Sequence, residues 1–523
     1  MKFLSLLIPY KQLAVSLMTM GLMLCSTIAS SNVATPYSSG GWSTLHAEGA
    51  NRKQVNGVEL AASYRVKHVL EGNSILTAPT VSPDGTQFYI TTGQGEGGSN
   101  LYAFTVQGEL LWKSEAVNGK QGVDGCAILS SPVIDSAGDI YISDCDQLWA
   151  FKSNGEIKWV MEQPDPPSNA WQPDSGKKVN SFTTAVITNS GDIFGVTNFG
   201  DALLIDSATG KPRLAPKRLP GVQPPFTSVK APDAMLDDGL IDPELKVWAW
   251  QLLMGGAMPS ANTPAIDHNT GRIFVAATST TESLGSVIAL DISLQDSNWS
   301  IDIVWNTDMG PGSGSSPALS PDGLQVYVSD EAGIFYGLSA QTGAIEWQLK
   351  TASAAASPAV GANGSIYSLQ QYAPAIIAMS PEGQRLWESD LSDFAKAILP
   401  ESFFFGAPVA IGNGNPTVLD NAILVPIIYG YRYKLGDRLL PLSVISTVVA
   451  LDPTTGKSLR NIVNIPDDSS GITVVLSDGT IMNTLGAMIT SSVSPMAGIV
   501  NFLLPRDLKL IEGVGGLSIA LPE

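Results

Sequence analysis

Apolar and polar residues alternate in short runs along almost the whole chain, separated by turns rich in glycine, proline, aspartate and asparagine. Alternation with a period of two is typical of β-strands with one buried face. The stretch "SSPVIDSAGDIYISDCDQLWAFKSNGEIKW" (Ser130–Trp159) shows two such runs and a third short one that ends in Trp. No segment carries a long 3.6-residue period, so the pattern predicts an all-β protein.

The same unit recurs along the chain. Its ending, Gly-x-x-x-Trp, appears as "GELLW", "GEIKW", "GAIEW" and "GQRLW", and its opening as "SSPVI", "SSPAL" and "ASPAV". Each copy contains four short strands, A to D, joined by turns, and a repeat of roughly 40 to 50 residues is typical of a propeller blade. Eight copies can be counted, the last one weak.

The two ends of the chain complement each other. "SYRVKHVLEG" (Ser63–Gly72) reads as a strand D without a preceding A, B or C, whereas the last copy has little strand D material. We therefore predict an all-β, eight-bladed β-propeller of four-stranded antiparallel blades, with the N-terminal strand closing the last blade and removing an exposed edge. The uncharged run Gly486–Pro505 is interpreted as two strands of blade eight rather than a membrane span.

The first thirty residues differ from the rest. Leu13–Leu24 is an uncharged run, followed by small residues in "STIASS", which predicts a signal peptide at 1–30 and a periplasmic or secreted protein. Leu24 stands where a lipobox has a small residue, which argues against a lipoprotein anchored at Cys25. We expect a lead-in segment at 31–62 and the propeller at 63–523, with a cap loop insertion at 215–259.

The net charge limits the classes of partner that this protein can bind, and the cysteine content predicts a disulfide bond. The formal net charge is −19, which excludes binding to the phosphate backbone of nucleic acids and disfavours anionic membrane surfaces. Cys126 and Cys145 would meet if Ser130–Lys158 folds as a hairpin, and in an exported protein such a pair predicts a disulfide bond. We expect a monomer without a transmembrane segment in the mature chain.

The repeat resembles that of the pyrroloquinoline quinone (PQQ)-repeat, or quinoprotein alcohol dehydrogenase-like, β-propellers. "SPALSPDGLQVYVSDEAGIFYGLSAQTGAIEW" (Ser316–Trp347) and "VVALDPTTGKSL" (Val448–Leu459) carry the resemblance, which covers roughly residues 63–505. The resemblance implies the fold. It leaves the function open, because the superfamily includes both PQQ enzymes and cofactor-free scaffolds of outer-membrane assembly.

The resemblance also implies the active site that a PQQ enzyme would have. It would contain a calcium ion held by Glu, Asn and Asp, an Asp that acts as the base, a Trp that lies under the quinone ring and, in many members, a disulfide bond between adjacent cysteines. This sequence has no adjacent cysteines. No segment of it can be matched, residue by residue, to the Asp base or to the calcium ligands of the PQQ enzymes. We therefore assign no catalytic residue, no metal site and no cofactor. Asp144 and Asp146 are interpreted as turn carboxylates.

The tryptophans that end strand D are expected to pack between blades rather than to bind a ligand. They are Trp112, Trp159, Trp305, Trp347 and Trp387. Small residues before strand A (Ser131, Thr184, Ser316 and Ser357) are explained by crowding near the propeller axis.

Ligands are expected on the face that carries the D–A and B–C loops, where the longest insertions fall, including Leu391–Phe405 and Ile427–Leu440. The candidate ligand-binding residues are Trp171, Asp174, Asp237, Asp238, Trp248, Trp250, Phe403, Phe404 and Phe405. The prediction is a binding or scaffold protein for a protein partner or a small ligand. The alternative is a PQQ- and Ca²⁺-dependent dehydrogenase that oxidises alcohols or sugars.

Overall fold

The alternating runs of the sequence pair into eight sheets in the computed structural model. The structure describes residues 35–93, 99–115, 122–168, 170, 172, 178–221, 262–312, 315–351, 357–370, 374–435, 438–468, 471–486, 497–504 and 508–523. Seven sheets have four strands and one has six. The predicted eight-bladed β-propeller is therefore confirmed.

Two short strands come first in the chain, β1 (Gln54–Val55) and β2 (Tyr64–Val69). Blades 1 to 3 then comprise β3 (Thr80–Val81), β4 (Gln87–Thr91), β5 (Leu101–Thr105) and β6 (Leu110–Lys113); β7 (Val133–Ile134), β8 (Ile140–Ser143), β9 (Gln147–Phe151) and β10 (Ile157–Glu162); and β11 (Val186–Ile187), β12 (Ile193–Val196), β13 (Asp201–Ile205) and β14 (Lys217–Arg218). A 3-10 helix, Gly125–Leu129, precedes blade 2.

Blades 4 to 6 comprise β15 (Ala265–Asp267), β16 (Arg272–Thr278), β17 (Gly285–Gln295) and β18 (Asn298–Met309); β19 (Ala318–Leu319), β20 (Gln325–Ser329), β21 (Ile334–Ser339) and β22 (Ile345–Lys350); and β23 (Ala359–Val360), β24 (Ile366–Gln370), β25 (Ala375–Met379) and β26 (Arg385–Asp390). Helix α1 (Leu391–Ile398) follows blade 6. The order in each sheet is A-B-C-D, and the short A strands contact one another around the axis.

Blade 7 comprises β27 (Val409–Asn413), β28 (Thr417–Leu419), β29 (Ile423–Leu435), β30 (Arg438–Leu451) and β31 (Ser458–Ile465), and β1 adds to its inner edge in parallel with β28. The prediction of a loop at Ile427–Leu440 is wrong. β29 and β30 continue as one long hairpin with the register Leu435↔Arg438, and β27 pairs with the extension of β29. The pairing continues past a register shift between Tyr429 and Gly430, so both strands extend beyond the blade.

Blade 8 is built from both ends of the chain. Its strands are β32 (Thr473–Val475), β33 (Ile481–Leu485), β34 (Gly516–Pro522) and then β2, which pairs antiparallel with β34 from Tyr64↔Pro522 to Val69↔Leu517. The N-terminal strand closes the last blade, as predicted.

The interpretation of Gly486–Pro505 as two strands is wrong where the structure describes it. Helix α2 (Ala497–Leu503) lies there instead, and the third strand of the blade comes later, as β34. Ala497, Val500 and Leu504 are buried in the hydrophobic cluster that blades 6 and 7 share. Their spacing of three and four residues is helical, and this short period is hidden in a run that is apolar throughout.

Each of the strand D tryptophans spans the boundary to the next blade. Trp112, Trp159, Trp305, Trp347 and Trp387 donate from Nε1 to the carbonyl oxygens of Ser153, Ser207, Ala340, Pro381 and Pro453, respectively. Every acceptor lies in the C–D turn of the following blade, and a glycine with positive φ in the same turn lies against the indole ring. The repeat thus joins neighbouring blades by the same contact five times.

The segment before the first blade lies along the inner strands of the ring. Carbonyl oxygens of Gly49, Ala50, Arg52 and Lys53 accept the N–H groups of Ile266, Leu319, Val360 and Val418, at 2.7–3.0 Å. The carbonyl oxygens of Trp42 and Ser43 accept the N–H groups of Val81 and Ile134. The Tyr37 hydroxyl accepts the N–H group of Ile187 at 2.9 Å. The inner edges of seven blades are therefore bonded to residues 37–53, which we call the axial segment. No helix in the described part of the chain is long and apolar enough to cross a membrane.

Candidate functional site

The ligand-binding residues were predicted for the face that carries the D–A and B–C connections. Trp171, Asp174, Asp237, Asp238, Trp248 and Trp250 lie outside the described residues, as does most of the predicted cap insertion. Phe403, Phe404 and Phe405 are described, in the D–A connection between blades 6 and 7. The site is therefore built here from those three residues and from neighbours that the sequence did not reveal.

The three phenylalanines lie in one tight turn, and each ring contacts the next. Ser402 and Gly406 form an isolated bridge that closes the turn, and the Ser402 hydroxyl accepts from the N–H groups of Phe404 and Phe405. The Phe405 ring packs on Tyr431 at 6.0 Å between centroids and on Tyr433 at 5.6 Å. Phe405 therefore anchors the turn to the long hairpin of blade 7.

Phe403 and Phe404 face solvent. Their exposed fractions are 95% and 56%, and the two rings meet edge to face at 5.2 Å. Tyr431 helps to hold the turn in place, because its hydroxyl donates to the Pro400 carbonyl at 2.7 Å. Two aromatic side chains are thus presented to solvent on a supported turn.

Helix α2 brings a second exposed apolar surface to the same hydrophobic cluster. Its Ala497 and Val500 are buried in the cluster that also contains Leu399 of the α1 connection, while Phe405 packs against it. The segment after α2 is bonded to blade 7, because Ile511 N–H donates to Ser443 O at 2.8 Å. The opposite side of α2 presents Ile499, 70% exposed, and Phe502, 88% exposed.

We call Ile398, Phe403, Phe404, Ile499 and Phe502 the apolar surface. All five are exposed and lie in D–A or B–C connections, either in the elements of one hydrophobic cluster or directly beside them. Sequence reasoning missed the two α2 residues because their segment was interpreted as strands. The helical spacing of Ala497, Val500 and Leu504 was the signal that could have found them.

The predicted disulfide bond joins Cys126 to Cys145, close to a buried pair of carboxylates. Asp144 accepts hydrogen bonds from the Trp149 indole at 2.8 Å, from Gln147 N–H at 2.8 Å and from Asp124 N–H at 3.1 Å. Burial, and then the negative charge of Asp124, raises the pKa of Asp144 to about 7. The Asp144 carboxyl is thus a buried, fully bonded element of the B–C turn, which agrees with its interpretation as a turn carboxylate.

The small residues before strand A bond to the next blade. Ala78 N–H donates to Ser131 Oγ, and Ser131 N–H to Thr184 Oγ1, at 3.0 and 3.3 Å. The same contact recurs twice more: Thr263 N–H donates to Ser316 Oγ, and Ser316 N–H donates to Ser357 Oγ, both at 3.1 Å. Crowding was the expected reason for small side chains, and hydroxyl groups that link neighbouring blades add a second one.

The axial segment places a buried cation in the centre of the ring. Lys53 is fully buried, and its Nζ donates to the Ser357 carbonyl at 2.6 Å. Burial lowers the pKa of Lys53 to about 7. Asn51 lies beside it, and its Nδ2 donates to the carbonyls of Thr263, Pro264 and Pro317 at 2.9–3.2 Å.

One group of three side chains of the types His, Cys, Asp and Glu comes together among the described residues, Asp124 with Cys126 and Cys145. Both sulfurs belong to the disulfide bond, so they are not available as thiolate ligands. The described residues therefore bring together no such group of three outside the disulfide bond.

The comparisons with known proteins agree with the architecture. The model of the family described as outer membrane protein assembly factor BamB matches residues 285–463. The crystal structure of BamB from Moraxella catarrhalis shares 13% identity and a TM-score of 0.50, covering 88% of this chain and 100% of that one. No curated protein matches the sequence.

Two dehydrogenases share the fold as well. A europium-containing methanol dehydrogenase has 13% identity and a TM-score of 0.55, covering 94% of this chain and 99% of that one. A quinohemoprotein alcohol dehydrogenase from Comamonas testosteroni has 11% identity and a TM-score of 0.57, and the alignment covers 94% of this chain and 82% of that one. The resemblance to PQQ-repeat β-propellers that the repeat predicted is thus confirmed, by a family model that matches residues 285–463 and by neighbours that share the fold. At these identities the likeness extends to the fold, which assembly factors and dehydrogenases share.

Proposed function

We propose that this chain is an exported binding protein that docks a partner protein on its apolar surface. The observation that carries the proposal is the exposure of Phe403 and Phe502, at 95% and 88%, on elements whose other sides are anchored in one hydrophobic cluster. Both elements lie on the loop-elaborated face, where a propeller has the most freedom to vary its contacts.

Exposed phenylalanine side chains are costly unless a partner covers them. Burying one apolar side chain gains about 1.5–3 kcal/mol, and aromatic residues are enriched among those that dominate the energy of protein interfaces. Soluble proteins rarely keep large apolar patches exposed without an interaction to explain them. The supported turn around Phe405 and the buried side of α2 fix these side chains before binding, which lowers the entropy lost on association.

A protein is favoured over a lipid surface as the partner. The formal net charge of −19 opposes approach to anionic membranes. The family model that matches residues 285–463 is described as an outer membrane protein assembly factor. This description supports a protein partner and a periplasmic location for the chain.

The alternative, a PQQ- and Ca²⁺-dependent dehydrogenase, receives support from the likeness of fold alone. Among the described residues, the one group of three His, Cys, Asp or Glu side chains contains both disulfide cysteines, and adjacent cysteines are missing from the sequence. Titration of the purified protein with PQQ and Ca²⁺, followed by quinone absorbance and dye reduction with alcohols and sugars, separates the two functions. We expect no saturable binding at tens of micromolar PQQ and no turnover.

Site-specific crosslinking tests the docking surface. A photo-reactive amino acid replaces Phe403 or Phe502 in the full chain expressed in its own host, and Leu324 serves as the control. Leu324 is 68% exposed, in the A–B turn of blade 5 on the opposite face. We expect one discrete protein adduct at both test positions and none at Leu324.

A second substitution shows whether the surface acts as a unit. Phe403→Ser should lower the crosslinking yield at position 502 about tenfold, which corresponds to the loss of roughly 1.4 kcal/mol of binding free energy. Its melting temperature should stay at the wild-type value, because the side chain is exposed. Equal yields at Leu324, no adduct at either test position, or adducts to lipid would each overturn the proposal.

A further inference from the structure

Two basic side chains of the axial segment, which we call the buried bases, lie away from water. Lys53 has no exposed surface, and its Nζ donates to the Ser357 carbonyl, a group without charge, at 2.6 Å. His46 is 3% exposed, and neither of its ring nitrogens has a hydrogen-bond partner among the described residues. A proton on either side chain places a positive charge where water does not solvate it.

The titratable groups around the buried bases are engaged with one another. Those on the axial segment and on the turn of blade 4 beside it are Tyr37, Glu48, Arg52, Asp267 and His268. Both oxygens of Glu48 accept from Arg52 at 3.0–3.1 Å. The charge of Glu48, and more weakly that of Asp267, raises the pKa of Arg52. In the described part of the chain, no carboxylate is thus paired with either buried base.

The docked axial segment favours the neutral forms of both bases. Burial lowers the pKa of Lys53 to about 7. Burial, and then the charge of Lys53, holds the pKa of His46 well below its ordinary value. In a segment that has left the ring, water restores the ordinary pKa values of about 10.4 and about 6.5. The undocked segment therefore binds protons that the docked one lacks, so a falling pH favours undocking.

Several other features of the axial segment oppose docking. Buried polar atoms of four side chains have no hydrogen-bond partner among the described residues: Trp42 Nε1, Thr44 Oγ1, both ring nitrogens of His46 and Asn51 Oδ1. Ala47 and Lys53 also have φ of +76° and +55°, a left-handed conformation that is costly for residues other than glycine. Undocking relieves this strain and gives the polar atoms to water.

Contacts that close the ring do not depend on the axial segment. β2 completes blade 8 by pairing with β34, from Tyr64↔Pro522 to Val69↔Leu517. The strand D tryptophans join neighbouring blades by their indole N–H groups. Undocking of residues 37–53 therefore leaves these contacts in place, and it frees the inner-edge N–H groups that the segment occupies, such as that of Val360.

We propose that the axial segment is a pH-sensitive switch, docked along the inner strands at alkaline pH and progressively undocked at acidic pH, where Lys53 and His46 bind protons. The docked state closes the inner edges of the blades, and the undocked state opens them. This device is independent of the docking of a partner on the apolar surface.

Hydrogen exchange, followed by mass spectrometry on the purified full chain from pH 9 to pH 5, measures the undocking. The rates are corrected for the intrinsic effect of pH on exchange. Protection of residues 37–53 should fall about a hundredfold between pH 9 and pH 6 through Lys53, and further towards pH 5 through His46. The control is β25, a fully buried strand without an ionisable side chain, whose protection should stay constant.

Lys53→Met removes the proton-binding group and keeps the length of the side chain. The matched variant is Lys67→Met, because the Lys67 ammonium also donates to a backbone carbonyl, that of Gln107, but at an exposed site. Between pH 9 and pH 6, protection of residues 37–53 should fall less than about tenfold in Lys53→Met and as much as in wild type in Lys67→Met. An equal fall in Lys53→Met and wild type overturns the proposal.

The wild-type profile alone decides if Lys53→Met does not fold. A fall in protection that is confined to residues 37–53 and to the N–H groups bonded to them, such as those of Val360 and Val418, supports the switch. An equal fall at β25 would show that the whole molecule opens, and it overturns the proposal. Protection of residues 37–53 that stays constant with pH overturns it as well.

Discussion

Trp347 of blade 5 lies directly against Gly383 of blade 6. A Cβ atom added to Gly383 would stand 2.4 Å from Cδ2 of the indole ring, and the same indole donates from Nε1 to the Pro381 carbonyl at 2.8 Å. Gly383 also has φ +77°, a conformation that favours glycine. The residue is therefore required twice, by the backbone and by the neighbouring ring.

Gly383→Ala separates these two requirements when it is compared with Gly191→Ala. Gly191 has φ +81° in a turn where an added Cβ meets nothing within 4 Å. We expect Gly191→Ala to lower the free energy of unfolding by about 1 kcal/mol and Gly383→Ala by about 2–4 kcal/mol. Urea denaturation measures both, and equal losses would show that the indole contact contributes nothing.

Asp144→Asn should change how stability depends on pH. The pKa of Asp144 is about 7 in the folded protein and about 4 when unfolded, so the native state keeps a proton that the unfolded state releases. The free energy of unfolding of wild type relative to the variant should therefore fall as the pH rises from 4 to 7, by roughly 2–4 kcal/mol.

Urea denaturation at each pH checks this expectation for Asp144. Asp330→Asn is the control, because Asp330 is buried at the same turn of blade 5 and accepts from the Tyr336 hydroxyl at 2.8 Å. It reports the general cost of losing hydrogen bonds at that turn. A difference between wild type and Asp144→Asn that stays constant from pH 4 to 7 would contradict the assignment.

Lys53→Met should act in a different pH window. The folded pKa of about 7 lies below the unfolded value of about 10.4, so between these values the unfolded state binds a proton that the native state lacks. The stability of wild type relative to the variant should rise between pH 7 and pH 10. Melting temperatures across this range test it, and a flat difference would mean that Lys53 is compensated in the folded protein.

Removal of the disulfide bond should destabilise blade 2. Cys126 and Cys145 close a loop with a sequence separation of 19, for which the loss of loop-closure entropy in the unfolded chain is about 3 kcal/mol. The double variant Cys126→Ser/Cys145→Ser should unfold at lower urea concentration, and a reductant should bring wild type to the same midpoint. A reductant that lowers the double variant equally would point to an unrelated effect.

The fold could be predicted from the sequence because the same pattern of strands and turns recurs in each copy of the repeat. Period-2 alternation, the Gly-x-x-x-Trp ending and the lone strand at Ser63–Gly72 each indicate the same ring, and the contact between Trp347 and Gly383 explains why the ending recurs. The errors fall where the repeat is interrupted. Ile427–Leu440 extends a hairpin and Ala497–Leu503 is a helix, because local packing on blade 7 decides both.

The candidate site was harder to predict. Phe403 and Phe404 stood out as an aromatic run, but nothing in that run shows that Phe405 turns inward onto Tyr431. Lys53 gave no signal at all, since a lysine ordinarily lies at the surface. Its burial depends on backbone bonds to blades distant in sequence, and no local pattern reports those.

The axial segment also has consequences for the order in which the molecule can assemble. The Asn51 side chain bonds to a residue 212 positions away and the Lys53 side chain to one 304 positions away, so these two bonds cannot form until that part of the chain exists. Long-range contacts of this kind slow folding, because chain entropy is lost before they form. The centre of the ring is thus completed late, by residues that are synthesised early, and the final blade waits for Gly516–Pro522. A chain crossing a membrane N-terminus first would remain open until its last residues had arrived.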